Sequence, residues 1–370
     1  MRPRVERLGA GDLATLWAEE PATPFHIGLA GLLEPGRLVD ERGRLRLREL
    51  RAAVDARLAR VPELRRRIRW TGFGQGRPAV VDDHAFDIAR HVTAVDLGGV
   101  DEPAFWSWSA NQTLQPLDRE HPLWRVTFAT GAALAQAAPA TSLDHAVGPG
   151  RRLIVIRRPL EQVKQAGRAH GATVNDVLLA AVAGGLRQLL AGRGEPVEGL
   201  ELRVSVPVGA PGRARNAGGS TPMVLPLPVG PLDPADRLAR IVAVTRAAKA
   251  ARDRRYRGLL ASPLLPTSLL RLGVRWLRRH GGGKVNLYVT NVPGPPRPLW
   301  LAGARLRTAA PIAPLVAGVP VAVAALSYAG ELVISMQADD AGADLETLAG
   351  GVADDLDRLG AEWSAVAGMA

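Results

Sequence analysis

A chain of 370 residues, 47% hydrophobic with a mean hydropathy near zero, is long enough to bury more than one core, so two domains or subdomains are expected. The absence of cysteine excludes disulfides, thiolate metal sites and thiol nucleophiles together. The net charge of +11 is uneven: residues 246–280 hold ten Arg or Lys against the single acid Asp253. Those cations alternate with Leu259, Leu264, Leu269, Leu272 and Trp276. That mixture suits an apolar surface with anionic headgroups, or a CoA-type phosphate carrier, and no nucleic-acid partner is expected. A solvated Arg-rich helix face is the plainer alternative.

In chain order, residues 8–17 read as a short amphipathic helix and 25–34 as a strand. Residues 47–61 form a helix on the spacing of Leu47, Leu50, Val54, Leu58 and Val61. Strands are expected at 65–70, 78–82 and 86–92, then a helix at 102–114 carrying Phe105, Trp106 and Trp108. The stretches LWRVTFAT and RRLIVIRR are strands on either side of a Pro- and Gly-punctuated connector that is small and uncharged until Asp144. Helices follow at 160–169 and 174–190, strands at 200–207 and 222–229, and helices at 234–255 and 263–279. The end is β-rich (285–292, 305–312, 319–328, 332–337) and closes on a helix at 344–359. The uncharged run 308–330 is long enough to span a bilayer, but Pro311, Pro314, Gly318 and Pro320 break it into strand, turn and strand. The opening MRPRVERLGAGDL lacks the pattern of a signal peptide, so a cytoplasmic location is expected. Strands and helices mix without strict alternation, which predicts mixed-sheet α/β in two halves.

Several catalytic signatures are absent. The GGGK at 281–284 lacks the rest of a phosphate loop, Gly72, Gly74 and Gly76 read as a hairpin turn, and there is no HExxH or GxSxG. The seven histidines are scattered, so no metal site is expected. Three stretches stand out. PLDREHPLWR, at 116–125, places Trp124 at the head of a strand. GATVNDVLLAAVAGGLRQLL, at 171–190, has Thr173 as an N-cap and Asp176 in the first turn, where a carboxylate complements the helix dipole. NLYVTNVPGPP, at 286–296, ends a strand in a Pro-Gly turn and carries Asn286 and Asn291 inside an apolar run. Taken singly, each has a structural reading: a core strand, a capping pair, and buried amides that need partners.

Together their order and spacing resemble the bacterial wax ester synthase/diacylglycerol acyltransferase family, related to chloramphenicol acetyltransferase-like and condensation-type acyltransferases. LGAGDLATLWAEEPATPFHIGLAGLLEP is similar to the family's opening, with Pro24, His26, Ile27 and Gly28 in their usual place. RPAVVDDHAFDIARHV is similar to the strand pair that follows. The PLW motif falls at Pro122, Leu123 and Trp124, and the Asn-Asp motif at Asn175 and Asp176. NVPGPPRPLWLAGARL, with Asn291, Pro293 and Gly294, and LSYAGELVISMQAD match the C-terminal half.

The resemblance implies an α/β fold of two chloramphenicol acetyltransferase-like, mixed-sheet halves. It also implies transfer of an acyl group from acyl-CoA, a co-substrate with no further cofactor, to a fatty alcohol or diacylglycerol hydroxyl. Triacylglycerol biosynthesis and an anionic membrane or lipid-droplet surface come with it. One departure is plain. The family carries HHxxxDG shortly after PLW, its second His taking the hydroxyl proton, and no HHxxxDG occurs here. TSLDHAVGPGRRLIVIRRPL instead resembles the linker that normally follows the motif, so the N-terminal half reads as truncated after Thr130. The expected division is an N-terminal half at 1–130, a connector at 131–150 and a C-terminal half at 151–370. The run from Asp144 to Gly150 is a degenerate echo, and His145 is the sole stand-in for the base. An impaired enzyme is therefore expected. The alternatives are a non-catalytic lipid-surface or acyl-CoA-binding protein, and an incomplete version of an active acyltransferase.

Overall fold

The structure, a computed structural model, describes residues 6–19, 24–34, 38–40, 44–72, 76–132, 150–208, 221–255, 285–315, 319, 321–339 and 344–367. Its first half runs β1 (Glu6–Arg7), α1 (Ala10–Ala18), β2 (Gly28–Leu33), α2 (Leu47–Leu58), a 3-10 turn (Pro62–Arg65) and the hairpin strands β3 (Arg66–Arg69) and β4 (Ala79–Asp82). Then come α3 (Ile88–His91), β5 (Val92–Val100), α4 (Glu102–Gln112) and β6 (Val126–Ala132). The second half begins β7 (Arg151–Pro159), α5 (Leu160–Ala169), α6 (Val174–Gly192), β8 (Glu201–Val208), β9 (Thr221–Pro228) and α7 (Pro234–Arg255). It ends β10 (Leu287–Pro293), β11 (Trp300–Leu301), β12 (Ala304–Ile312), β13 (Val321–Tyr328), β14 (Glu331–Asp339) and α8 (Leu345–Ala367).

The second half is built on one six-stranded mixed sheet in the order β7-β14-β13-β10-β8-β9. Strand β10 runs parallel to β13 and β8, and the other pairings are antiparallel. Period-two alternation separates its faces. Val321, Val323 and Ala325 of β13 join the core under α6, α7 and α8, while Ala322 and Ala324 pack on the other side with Ala313 and Leu315. Helix α6 is buried from Asp176 through Leu186 because apolar and small residues occupy every side of it. It is long and apolar enough to cross a bilayer, yet 67% of that stretch is buried inside the protein, which makes it a core helix.

Among the described residues the first half contributes to small sheets only: β1-β4-β3, β5-β6 and β11-β12-β2. The last joins the halves, because β12 pairs antiparallel with β2 from Leu306↔Leu33 to Ile312↔Gly28. Helix α4 fills the space between this sheet and the large one. Phe105, Trp106 and Ala110 pack on Ala30, Ala310 and Ile312 from one side and on Leu153 and Val333 from the other. The Asn111 amide fastens α4 to the start of β7, donating to Arg151 O at 2.9 Å and accepting from Arg151 N at 3.0 Å.

One sequence expectation fails. Residues 86–92 are not a strand: Asp87 accepts a hydrogen bond from Ala89 N at 2.9 Å and starts the helical turn α3. The strand is β5, displaced towards the C-terminus. It pairs parallel with β6 and carries a bulge at Gly98 and Gly99, both in the left-handed region at φ 70° and 95°. The helix expected at 263–279 and residues 133–149 of the connector expected at 131–150, including His145, lie outside the described residues, while residues 131 and 132 end β6.

Candidate functional site

Trp124 of the PLW motif is clamped before β6 begins. Its indole N–H donates to Leu64 O at 2.7 Å, and its carbonyl lies 2.9 Å from His91 Nδ1. The His91 ring stacks between Trp124, at 4.4 Å, and Phe86, at 5.1 Å, and the Arg65 guanidinium lies 5.1 Å from the Phe86 ring centre. The carbonyl can only accept, so His91 carries a proton on Nδ1. Its Nε2 is buried with no hydrogen-bond partner among the described residues. Pro122 is buried, and His121 before it lies between Asp83 Oδ2 at 3.3 Å and Asp118 Oδ2 at 3.9 Å.

Leu123 faces the other way, into a cleft of about 390 Å³ that it lines with Glu19, Pro24, His26, Pro116, Leu117 and Arg119. The cleft has apolar walls and one charged end. There Glu19 takes a cationic partner on each oxygen: Arg119 Nη2 at 2.5 Å from Oε2, and His26 Nε2 at 3.5 Å from Oε1 when that ring is protonated. His26 Nδ1 lies 2.8 Å from Thr113 O, the C-cap of α4, and the Arg119 guanidinium lies 5.6 Å from the Trp70 ring centre. Glu19 and Arg119 were missed by sequence reasoning. Their only signal was the acid at the end of the first helix and the DRE within 116–125, and nothing local pairs residues a hundred positions apart.

The other two motifs are held by their own partners. Asp176 and Thr173 form the expected capping box, each side chain accepting from the other's backbone N–H. Asn175 beside it is half-buried. Arg246, from the basic stretch, donates to Gly171 O at 2.8 Å just upstream. Asn291 and Pro293 sit in β10 opposite Ala325 and Ser327, and Gly294 N donates to Ser327 Oγ at 3.0 Å. Asn286, expected to be a buried amide, is exposed instead: its side chain accepts from Arg203 N and its N–H donates to Arg203 O, both at 2.8 Å, at the edge of β8 and β10. Among the described residues no group of three or more His, Asp or Glu side chains is placed to hold a metal ion.

Two family models match the chain. The wax ester synthase/diacylglycerol acyltransferase catalytic domain matches residues 8–147 and again 128–178, and the WS/DGAT C-terminal domain matches 220–360. A relative from Mycobacterium tuberculosis, named as a diacylglycerol O-acyltransferase, is 35% identical over 236 residues, 62% of this chain and 50% of the relative. The chain thus spans about half the length of the curated relatives it matches.

Among solved structures, the wax ester synthase/diacylglycerol acyltransferase from Marinobacter aquaeolei VT8 superposes with a TM-score of 0.67 at 18% identity. That superposition covers 97% of this chain and 100% of that one. The starter condensation domain of rhizomide synthetase, solved with C8-CoA and Leu-SNAC, gives a TM-score of 0.57 at 14% identity, covering 97% and 94%. These similarities show the chloramphenicol acetyltransferase-like fold of two halves. The family models add what fold alone cannot, since they account for both halves in sequence. The chain belongs to the wax ester synthase/diacylglycerol acyltransferase family.

Proposed function

We propose that this chain binds an acyl-CoA and a lipid hydroxyl acceptor as its family does, in the cytoplasm or at a lipid surface, and that its ester-forming step is impaired. The observation that carries the second part is the sequence itself. Both family domains are matched, yet HHxxxDG occurs nowhere in 370 residues, and the two catalytic-domain matches overlap at residues 128–147, where the motif would be expected. The CoA thioester in the rhizomide condensation domain supports the class of acyl donor.

The chemistry explains why the missing motif matters. An alcohol attacks a thioester slowly unless a base takes its proton, and such help contributes roughly 10²- to 10⁴-fold. Asp176 is a poor substitute, because both its oxygens already accept hydrogen bonds from Thr173 and Thr245. Asn175 is an amide and no base.

The test is a pair of measurements on the full chain. Calorimetry with palmitoyl-CoA should show binding. Incubation of radiolabelled palmitoyl-CoA with hexadecanol or diacylglycerol should give no ester above a no-protein control. Ester formation would overturn the impairment, and its loss in His145→Ala would assign the base to the degenerate motif. Absence of acyl-CoA binding would overturn the substrate reading.

A further inference from the structure

We propose that the surface formed by Val292, Leu299 and Trp300 with Arg297, Arg305 and Arg307 docks the protein on an anionic phospholipid surface. Large apolar side chains are exposed together here, Val292 at 47%, Leu299 at 50% and Trp300 at 60%. The grouping is fixed by backbone pairing. Trp300 stands opposite Arg305 in the β11–β12 ladder, so their side chains share a face. Arg307 follows at the bulge between Leu306 and Thr308 and is exposed as well. Leu299 is held by Leu306 N donating to its carbonyl and by its own N–H donating to Tyr328 Oη, both at 2.9 Å. Val292 leads into Gly294, whose N–H is bonded to Ser327 Oγ at 3.0 Å. Both flanks of the loop therefore hang on adjacent residues at the end of β13, and the patch is presented on a fixed frame.

The charge around it is predominantly positive. Residues 285–330 contain three Arg and no Asp or Glu. All three guanidinium side chains are exposed and none is in an ion pair among the described residues. Two acids border it: Glu34, whose N–H donates to Arg305 O at 2.9 Å, and Glu331, opposite Tyr328 in the β13–β14 ladder. A Trp with exposed Leu and Val beside it, ringed by unpaired cations, matches the boundary between headgroups and acyl chains: the indole and aliphatic groups enter the apolar layer while Arg meets the lipid phosphates. A nucleic acid would leave Leu299 and Val292 with nothing to bury, since stacking on bases needs aromatic faces. The inference deepens the proposed reading of a lipid acceptor, because an acceptor dissolved in a bilayer must be met at its surface.

The test is co-sedimentation of the full chain with vesicles, in the absence of acyl-CoA and acceptor so that its outcome is independent of acyl-CoA binding. Phosphatidylcholine vesicles with one-fifth phosphatidylglycerol should pellet the protein, and rising salt should release it. Leu299→Ser with Trp300→Ala should weaken binding to vesicles of either composition. Arg305→Gln with Arg307→Gln should weaken binding to the anionic vesicles about ten- to thirtyfold and abolish the preference over pure phosphatidylcholine. Circular dichroism on each variant guards against misfolding. Binding unchanged in both pairs would overturn the proposal and send docking to the basic stretch 246–280. Equal binding of the parent chain to neutral vesicles would overturn the role of the Arg residues. Tighter binding to duplex DNA than to anionic vesicles, lost in the Arg pair, would assign the surface to nucleic acid instead.

Discussion

The carboxylate of Asp176, in the first turn of α6, accepts a hydrogen bond from Thr245 Oγ1 of α7 at 2.8 Å. Its other oxygen accepts from Thr173 N at 2.9 Å and Thr173 Oγ1 at 2.7 Å, and the residue is 3% exposed. The acidic member of the Asn-Asp motif thus caps one core helix and ties it to a second. These hydrogen bonds are architectural, joining α6 to α7 at the start of the core helix.

Asp176→Ala should therefore lower stability by about 2–4 kcal/mol, from the lost cap and the stranded Thr245 hydroxyl. Thr245→Val should cost about 1–2 kcal/mol, because the cap survives. Urea unfolding of the two variants orders them. An Asp176→Ala protein as stable as the parent would return the residue to the list of groups kept for chemistry.

A second buried acid has a cation for its partner. Asp355 of α8 and Arg237 of α7 form an ion pair with side chains 5% and 2% exposed. Burial pushes the Asp355 carboxyl up and the Arg237 guanidinium down, each against the pull of the other. The pair fits because Gly184 of α6 has no side chain: a Cβ there would lie 1.9 Å from Asp355 Oδ2 and 2.8 Å from Arg237 Nη1. Asp355→Ala should cost about 3–5 kcal/mol by leaving a buried cation unpaired, whereas Arg237→Met with Asp355→Leu should be near neutral. Gly184→Ala should cost about 1–3 kcal/mol. A double variant as unstable as the single one would show that the charges themselves are needed.

These two acids mark what the sequence could disclose. Thr173 and Asp176 are a local pair three residues apart in front of an apolar stripe, so the cap was legible. The strands of the large sheet were legible in the same way, from short runs rich in β-branched and apolar residues. Arg237 and Asp355 are 118 positions apart, and no pattern in either helix names the other. The pairing of β2 with β12 across the halves has the same character, as does the Glu19–Arg119 contact in the cleft. Strand β5 was obscured differently. Asp87 reads as part of an alternating run but caps a turn, and β5 runs on past residue 92 through a bulge at Gly98 and Gly99.

Stability should also depend on pH through the last helix. Asp344 accepts from Thr347 Oγ1 at 2.6 Å and Thr347 N at 3.0 Å at the start of α8, and these bonds hold its carboxyl below the usual range. A depressed folded pKa contributes stability that is full above the unfolded value, near 4 for a carboxylate, and is lost as pH falls through the folded one. Asp344→Ala should therefore cost about 1 kcal/mol at pH 7 and less at pH 3. Urea midpoints at the two pH values check it. A cost unchanged between them would mean that the carboxylate's charge contributes nothing.

Gly294 couples the NVPG motif to the exposed Trp300 surface. A Cβ there would lie 2.2 Å from Ser327 O and 2.9 Å from Leu326 Cδ1, so Gly294→Ala must push the end of β10 away from β13. The displacement should cost about 1–3 kcal/mol, since backbone cannot yield as a side chain can. It should also reach further. Pro295 O accepts from Ala329 N at 3.1 Å and Leu299 N donates to Tyr328 Oη at 2.9 Å, so the same strand end holds the loop that presents Leu299 and Trp300. Ser327→Ala removes only the hydroxyl that Gly294 N meets and should cost about 1 kcal/mol with the loop in place. Gly294→Ala is thus expected to weaken vesicle binding although no docking side chain has changed, and Ser327→Ala to leave it intact. Equal vesicle binding by both variants, with Gly294→Ala folded but destabilised, would show that the loop keeps its form without the close approach.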